Sequence, residues 1–142
     1  MCIIHPFNLY GRNRVVDCYA LTELAGCEYQ LAEACQRQGR RYALTAFSGA
    51  ARLAPAVGYQ WVVAYIDGDL DALTASLGWK QVTSGANISL LIPYDEGVFF
   101  DSLDVEGTQL VTPVQIYLDL QAYRGRGQEV AQAIRKVIDQ SW

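Results

Sequence analysis

Residues 60–78 read QWVVAYIDGDLDALTASLG, and the fold class turns on how they are divided. From Trp61 to Ile66 every side chain is apolar or aromatic. A run this short, rich in Val, Tyr and Trp, fits a strand over Gln60–Ile66 that is buried on both faces. Asp67-Gly68-Asp69 then turns the chain. Leu70, Leu73 and Leu77 recur at helical spacing beyond it, so 70–77 predicts a helix, with Asp69 as N-cap and Gly78 closing the far end. A buried strand that runs straight into an amphipathic helix requires a sheet with helices laid against it.

Toward the C-terminus, Lys80–Thr83 and Asn87–Ile92 are strand-like runs around Ser84-Gly85-Ala86, which predicts a hairpin. Tyr94-Asp95-Glu96-Gly97 reads as a turn and Val98–Phe100 as a short strand. Val105 and Leu110-Val111 flank Glu106-Gly107-Thr108, a further hairpin signal. Thr112-Pro113-Val114-Gln115 has the form of a capping box with proline in the first helical position. The threonine oxygen can accept the Gln115 backbone N–H, and the glutamine amide can reach back to Thr112. That helix should run to about Ala122 and break at Arg124-Gly125-Arg126-Gly127, whose glycines suit left-handed backbone angles. A last helix over Gln128–Gln140 places Val130, Ile134, Val137 and Ile138 on one stripe. Toward the N-terminus, Phe47–Leu53 reads as a small-residue helix ended by Pro55, and Arg41–Thr45 as a short strand. Cys27–Gln38 is a helix with Gly39 as its stop, and Val15–Leu24 an earlier helical stretch, with Gly26 between the two. The class expected is α+β, or mixed α/β: a small mixed sheet of four to six strands packed with helices, ending in a helical hairpin.

Hydrophobic residues make up 51% and charged residues 18% of the 142, which excludes a disordered chain and fits one packed core. No apolar run approaches the roughly 20 residues of a membrane helix, and the first residues lack the pattern of a signal peptide. The expectation is a soluble, cytoplasmic protein. Charge is segregated: residues 1–56 sum to +2, residues 57–123 to −8 and residues 124–142 to +2. An acidic middle repels phosphate backbones, while the basic ends could form one local positive patch. Cys2, Cys18, Cys27 and Cys35 form no C-x-x-C pair, and His5 is the sole histidine. That spacing does not suit structural zinc, and Cys27 and Cys35 on one helix lie about 12 Å apart, too far for a disulfide. Reduced thiols are expected.

Asp67, Asp69 and Asp71 are the most enzyme-like group, since carboxylates at a strand end are where phosphoryl-transfer enzymes hold Mg²⁺. The plainer reading is a helix start, where acids cap free N–H groups and oppose the dipole. Ser48 and Ser84 lack both G-x-S-x-G and a nearby histidine. Arg124-Gly125-Arg126-Gly127 opens onto a helix N-terminus as phosphate loops do, but it has no G-K-[ST] and follows a helix. The polar residues of VQIYLDLQAYRGRG are more telling. Gln115, Asp119 and Tyr123 fall in one helical row, with Arg124 and Arg126 in the turn beyond. Asp119, set between Leu118 and Leu120, should either emerge into solvent or be held by Arg124 or Arg126. The residues expected to form a partner-binding surface are Gln115, Tyr117, Asp119, Tyr123, Arg124, Arg126 and Glu129. No residue is expected to be catalytic, and none to bind a cofactor or metal.

The string Thr112-Pro113-Val114-Gln115-Ile116-Tyr117-Leu118-Asp119-Leu120, followed by Arg126-Gly127-Gln128-Glu129-Val130-Ala131, resembles a family hallmark. In the AbiEi-type antitoxins of bacterial type IV toxin–antitoxin (abortive infection) systems, a Q-x-Y-L-D-L helix precedes an R-G-x-E-x-A helix. Residues 42–51, YALTAFSGAA, are similar to that family's earlier y-x-L-T-G-x-x-A-A segment, and residues 87–95, NISLLIPYD, to its N-V-x-L-L-x-P-x-D strand. The resemblance spans residues 42–131 in the family's order.

What the resemblance implies is a transcriptional regulator that binds operator DNA through an N-terminal winged helix. Its C-terminal domain counters a nucleotidyltransferase-like toxin. About forty residues precede Tyr42, too few for a winged helix and linker, and the Cys27–Gln38 helix has no recognition partner beside it. The expectation is therefore a single regulatory or antitoxin domain over residues 1–142, without operator binding of its own, that meets a protein partner or regulatory target. The alternatives are a metal-dependent nuclease or nucleotidyltransferase built on Asp67, Asp69 and Asp71, or a protein–protein interaction module.

Overall fold

Arg14–Tyr19 forms a strand, β1, in the computed structural model, which describes residues 14–55 and 58–141. The helix expected over Val15–Leu24 is thereby corrected. Val15 and Val16 favour extended backbone, and the segment pairs antiparallel along its length with a strand far downstream, from Arg14↔Ile92 to Cys18↔Ile88. Tertiary pairing overrides a weak helical pattern here. The first true helix, α1, spans Leu24–Gln38, so Gly26 lies inside it rather than between two helices. Gly39 closes α1 in the left-handed conformation, at φ 66°.

The chain continues through β2 (Tyr42–Thr45), α2 (Ala46–Leu53), β3 (Val62–Ile66) and α3 (Leu70–Leu77). The deciding stretch folds as a buried strand and a capped helix, the strand starting at Val62 rather than Gln60: all five residues of β3 are buried, and Asp69 accepts the backbone N–H groups of Asp71 and Ala72. Then come β4 (Lys80–Gln81) and β5 (Ile88–Ile92). They do not form the expected hairpin, because β1 lies between them and pairs antiparallel with both. Ser84-Gly85-Ala86 is the loop that carries the chain past β1. Glu96–Phe99 is a turn of 3₁₀-helix, not part of a strand over Val98–Phe100. Local capping decides the form: the Asp95 carboxylate accepts the Gly97 N–H at 2.8 Å, and Phe100 N–H closes onto Gly97 O at 3.0 Å. The strands β6 (Leu103–Val105) and β7 (Thr108–Leu110) form the expected hairpin, its two turn residues Glu106 and Gly107 both at positive φ. Two helices end the fold: α4 (Pro113–Leu120), shorter than expected, and α5 (Arg126–Ser141), which starts two residues early.

Among the described residues seven strands, one more than the upper expectation, form one mixed sheet in the order β4-β1-β5-β3-β2-β7-β6. The extra strand is the stretch misread as helix. One face packs α1 and α3 over Val16, Cys18, Leu44, Val62, Ala64, Ile88 and Leu90, and the other packs α2, α4 and α5 over Ala43, Val63, Tyr65 and Leu91. Cys18, Cys27 and Cys35 are buried free thiols, and burial pushes Cys18 and Cys35 up to about 11. Cys2 and His5 lie outside the described residues. Among the described residues no helix is long and apolar enough to cross a membrane.

Candidate functional site

Thr112 starts α4 as expected, its Oγ1 accepting the Gln115 backbone N–H at 3.2 Å. The second half of the capping box is absent. The Gln115 side-chain amide instead donates to Asp119 Oδ1 at 2.8 Å, one turn on. That preference follows from burial: Asp119 is completely buried, and an ionised carboxylate there needs donors more than Thr112 does. Thr45, at the end of β2, donates to Asp119 Oδ2 at 2.6 Å, and the Tyr65 phenol on β3 donates to the same oxygen at 2.9 Å. Asp119 neither emerges into solvent nor pairs with Arg124 or Arg126, and both earlier expectations are corrected. Three neutral donors hold it. Burial raises its carboxyl from 3.8 to about 6, against the opposing pull of those three hydrogen bonds. Gln115 is buried beside it, so neither residue belongs to an exposed surface.

The clamp fixes what lies at the far end of α4. Tyr117 and Tyr123 are half-buried, and Tyr123 meets Phe47 and Trp61 edge-on, at centroid distances of 5.0 and 5.5 Å. Arg124, Arg126 and Glu129 are exposed. Gly125, at φ 73°, makes the turn. Gly127 is required for a different reason than the one expected. A Cβ there would lie 2.5 Å from Leu120 O and 2.6 Å from Tyr123 Cβ, so its bare backbone permits the close crossing of α4 and α5. Arg126 extends from this junction, donating to Glu129 Oε2 and to Gly58 O, each at 3.3 Å. Of the seven residues read from the sequence, Gln115 and Asp119 form the buried clamp. Arg124, Arg126 and Glu129 form the exposed turn, and the two tyrosines lie between.

Beside the turn opens a cleft of about 630 Å³ whose lining includes Phe47, Tyr59, Gln60, Trp61 and Arg126. Trp61 is fixed behind it: Nε1 donates to Ser89 Oγ at 2.9 Å, and Ser89 Oγ donates to Asp17 Oδ1 at 2.6 Å. Tyr59 stands beside Glu28, which is buried and ion-paired to Arg52. Burial and that negative charge hold the phenol protonated, above its ordinary range. Sequence reading missed Thr45, Tyr65 and Trp61, since each belongs to a segment legible only as a buried strand, and Tyr59, which precedes that strand. The available signal was a hydroxyl on a fully buried strand, which must find a partner.

The three aspartates of the 67–71 stretch have separate duties. Asp67 pairs with Arg41 at 3.1 Å, Asp69 caps α3, and Asp71 accepts from Gln81 at 3.0 Å and pairs with Arg14 at 3.7 Å. Among the described residues no three carboxylate, thiol or imidazole side chains are placed to hold a metal ion.

Compared with known families, residues 11–140 match the model described as transcriptional regulator, AbiEi antitoxin, type IV TA system. The chain belongs to the AbiEi antitoxin family. Membership places the chain among regulators of type IV toxin–antitoxin systems. None of the curated proteins matches it. Among solved structures, this AbiEi family member is similar to an antigenic nucleotidyltransferase-like protein from Paracoccidioides brasiliensis. The TM-score is 0.52 at 16% identity, over 85% of this chain and 76% of that one. At that identity the likeness is one of fold.

Proposed function

We propose that this chain is a non-enzymatic antitoxin domain, acting in the cytoplasm by contacting a nucleotidyltransferase-like toxin through the α4–α5 turn. The observation that carries the reading is the union of a rigid base with exposed charge. Asp119, Thr45, Tyr65 and Gln115 tie α4 to the sheet, and Arg124, Arg126 and Glu129 project from the turn it fixes. Arginine suits such a contact because its planar fork holds a carboxylate with two hydrogen bonds. Operator binding is not part of the proposal. The whole of residues 1–142 acts as one domain in this reading.

The nucleotidyltransferase-like fold gives an enzyme reading its one support. Against it, Asp67, Asp69 and Asp71 are each engaged by protein groups and directed to different partners. The experiment is co-expression with a nucleotidyltransferase-like toxin of a type IV system, scored as growth. Rescue by the wild type and its loss in Arg124→Ala/Arg126→Ala, with the melting temperature retained, is the expected outcome. Toxin-independent nucleotide turnover by the purified chain would favour the enzyme reading.

A further inference from the structure

The cleft beside the α4–α5 turn combines two features. Residues 57–123 carry a net charge of −8, yet no carboxylate is among the described residues that line it, and its charged group is the Arg126 guanidinium. Its walls are also aromatic, with Phe47, Tyr59 and Trp61 contributing rings. At about 630 Å³ it falls within the roughly 300–1,000 Å³ of small-molecule sites.

The walls are held in advance of any ligand. The polar edge of Trp61 is committed to Ser89, and through it to Asp17, so the indole is fixed by its edge where it lines the cleft. Tyr123 packs edge-on against both Phe47 and Trp61, at interplanar angles of 62° and 72°. Gln60 adds an amide that can donate and accept, as the edge of a nucleobase requires. Arg126 uses two of its five N–H groups on Gly58 O and Glu129, both at 3.3 Å, which leaves donors for an oxyanion.

We propose that this cleft binds a nucleoside monophosphate, the base stacked on the aromatic wall and the phosphate held by Arg126. The chemistry is that of a flat π-system joined to an anion, which an aromatic wall with one guanidinium recognises in both halves. The proposal goes beyond the antitoxin reading and is tested without a toxin, so the two can fail separately.

The test is a titration of the full chain with AMP, GMP, CMP and UMP, with adenosine and inorganic phosphate as controls. It is followed by heteronuclear NMR at the Trp61 indole N–H and the backbone around Arg126. The expected result is saturable binding of at least one monophosphate that moves both sets of resonances. Arg126→Ala, at an exposed position, should weaken that binding by about tenfold or more while leaving adenosine binding as it was. Trp61→Phe, which keeps a ring but loses the bond to Ser89, should weaken both ligands. Three results would overturn the proposal: no saturable binding up to about 10 mM, weaker than any affinity of use to the cell; shifts confined to residues outside the cleft; or inorganic phosphate reproducing the whole effect at Arg126 with the indole unmoved.

Discussion

Alternate residues of the same strands build two different faces. Val16, Cys18, Leu44, Val62, Ala64, Ile88 and Leu90 meet α1 and α3 as apolar side chains, while the buried carboxylate of α1, Glu28, is paired with Arg52 of α2. Asp17, Thr45, Tyr65 and Ser89, interleaved with them, meet the side of α2, α4 and α5 and make side-chain hydrogen bonds there. An apolar face is stabilised by area and tolerates many packings of similar volume. A face with directional bonds to a buried carboxylate admits far fewer, because every donor left unpaired carries a desolvation penalty. Here the polar face is the one beneath the exposed α4–α5 turn and the aromatic cleft. Positional precision is concentrated where the proposed contacts are.

The largest effects should come from deleting core volume. Leu90→Ala on the α1/α3 face and Ile134→Ala on the α5 side each remove a fully buried side chain and should cost about 2–5 kcal/mol in denaturant unfolding. Equal costs on the two faces would show that they differ in specificity and not in packing strength.

A second experiment separates the faces by pH. The Asp119 carboxyl titrates near 3.8 in the unfolded chain and near 6 in the folded one. Between those values the unfolded state loses its proton first, so this group's contribution is most favourable below pH 4, falls as pH rises and is fully lost above 6. The loss is on the order of 3 kcal/mol. In Asp119→Asn that component disappears, so the variant should gain on the wild type as pH is raised from 4 to 7. Parallel stability curves would mean that the carboxylate is better solvated than its burial indicates.

Smaller effects probe the start of the clamp helix and the opposite carboxylates. Thr112→Ala removes one N-cap acceptor and should lower stability by about 0.5–2 kcal/mol, seen as a few degrees in melting temperature. Millimolar Mg²⁺ or Mn²⁺ should leave the melting temperature where it was, since Asp67, Asp69 and Asp71 are engaged elsewhere. A rise abolished by Asp69→Ala would reveal native-state metal binding by mass action.

Local signals carried much of this fold. Asp69 with Gly78, Thr112 with Pro113, and Gly39 after Gln38 each act within a few residues of themselves, and each sets the helix end it was read to set. What sequence could not supply was pairing at a distance. Arg14–Tyr19 is a strand because residues 88–92 and 80–81 flank it, and nothing within the hexapeptide reveals those partners. The site divided in the same way. The polar row Gln115–Asp119–Tyr123 was legible from helical spacing, but its burial was not. The groups that satisfy Asp119 come 74 and 54 residues earlier, on β2 and β3. A carboxylate between two leucines reads as exposed until those hydroxyls are brought to it.

The account's central claim is that the α2/α4/α5 side of the molecule carries the antitoxin function. Two triple surface variants test it in the toxin co-expression assay. Arg124→Ala/Arg126→Ala/Glu129→Ala alters the turn, and Tyr29→Ala/Glu33→Ala/Arg37→Ala alters the exposed side of α1 on the opposite layer. All six positions are exposed, so both variants should fold with melting temperatures close to the wild type. Growth rescue lost in the first and kept in the second is the predicted result. Rescue kept in the first and lost in the second would contradict the claim and move the functional surface to α1.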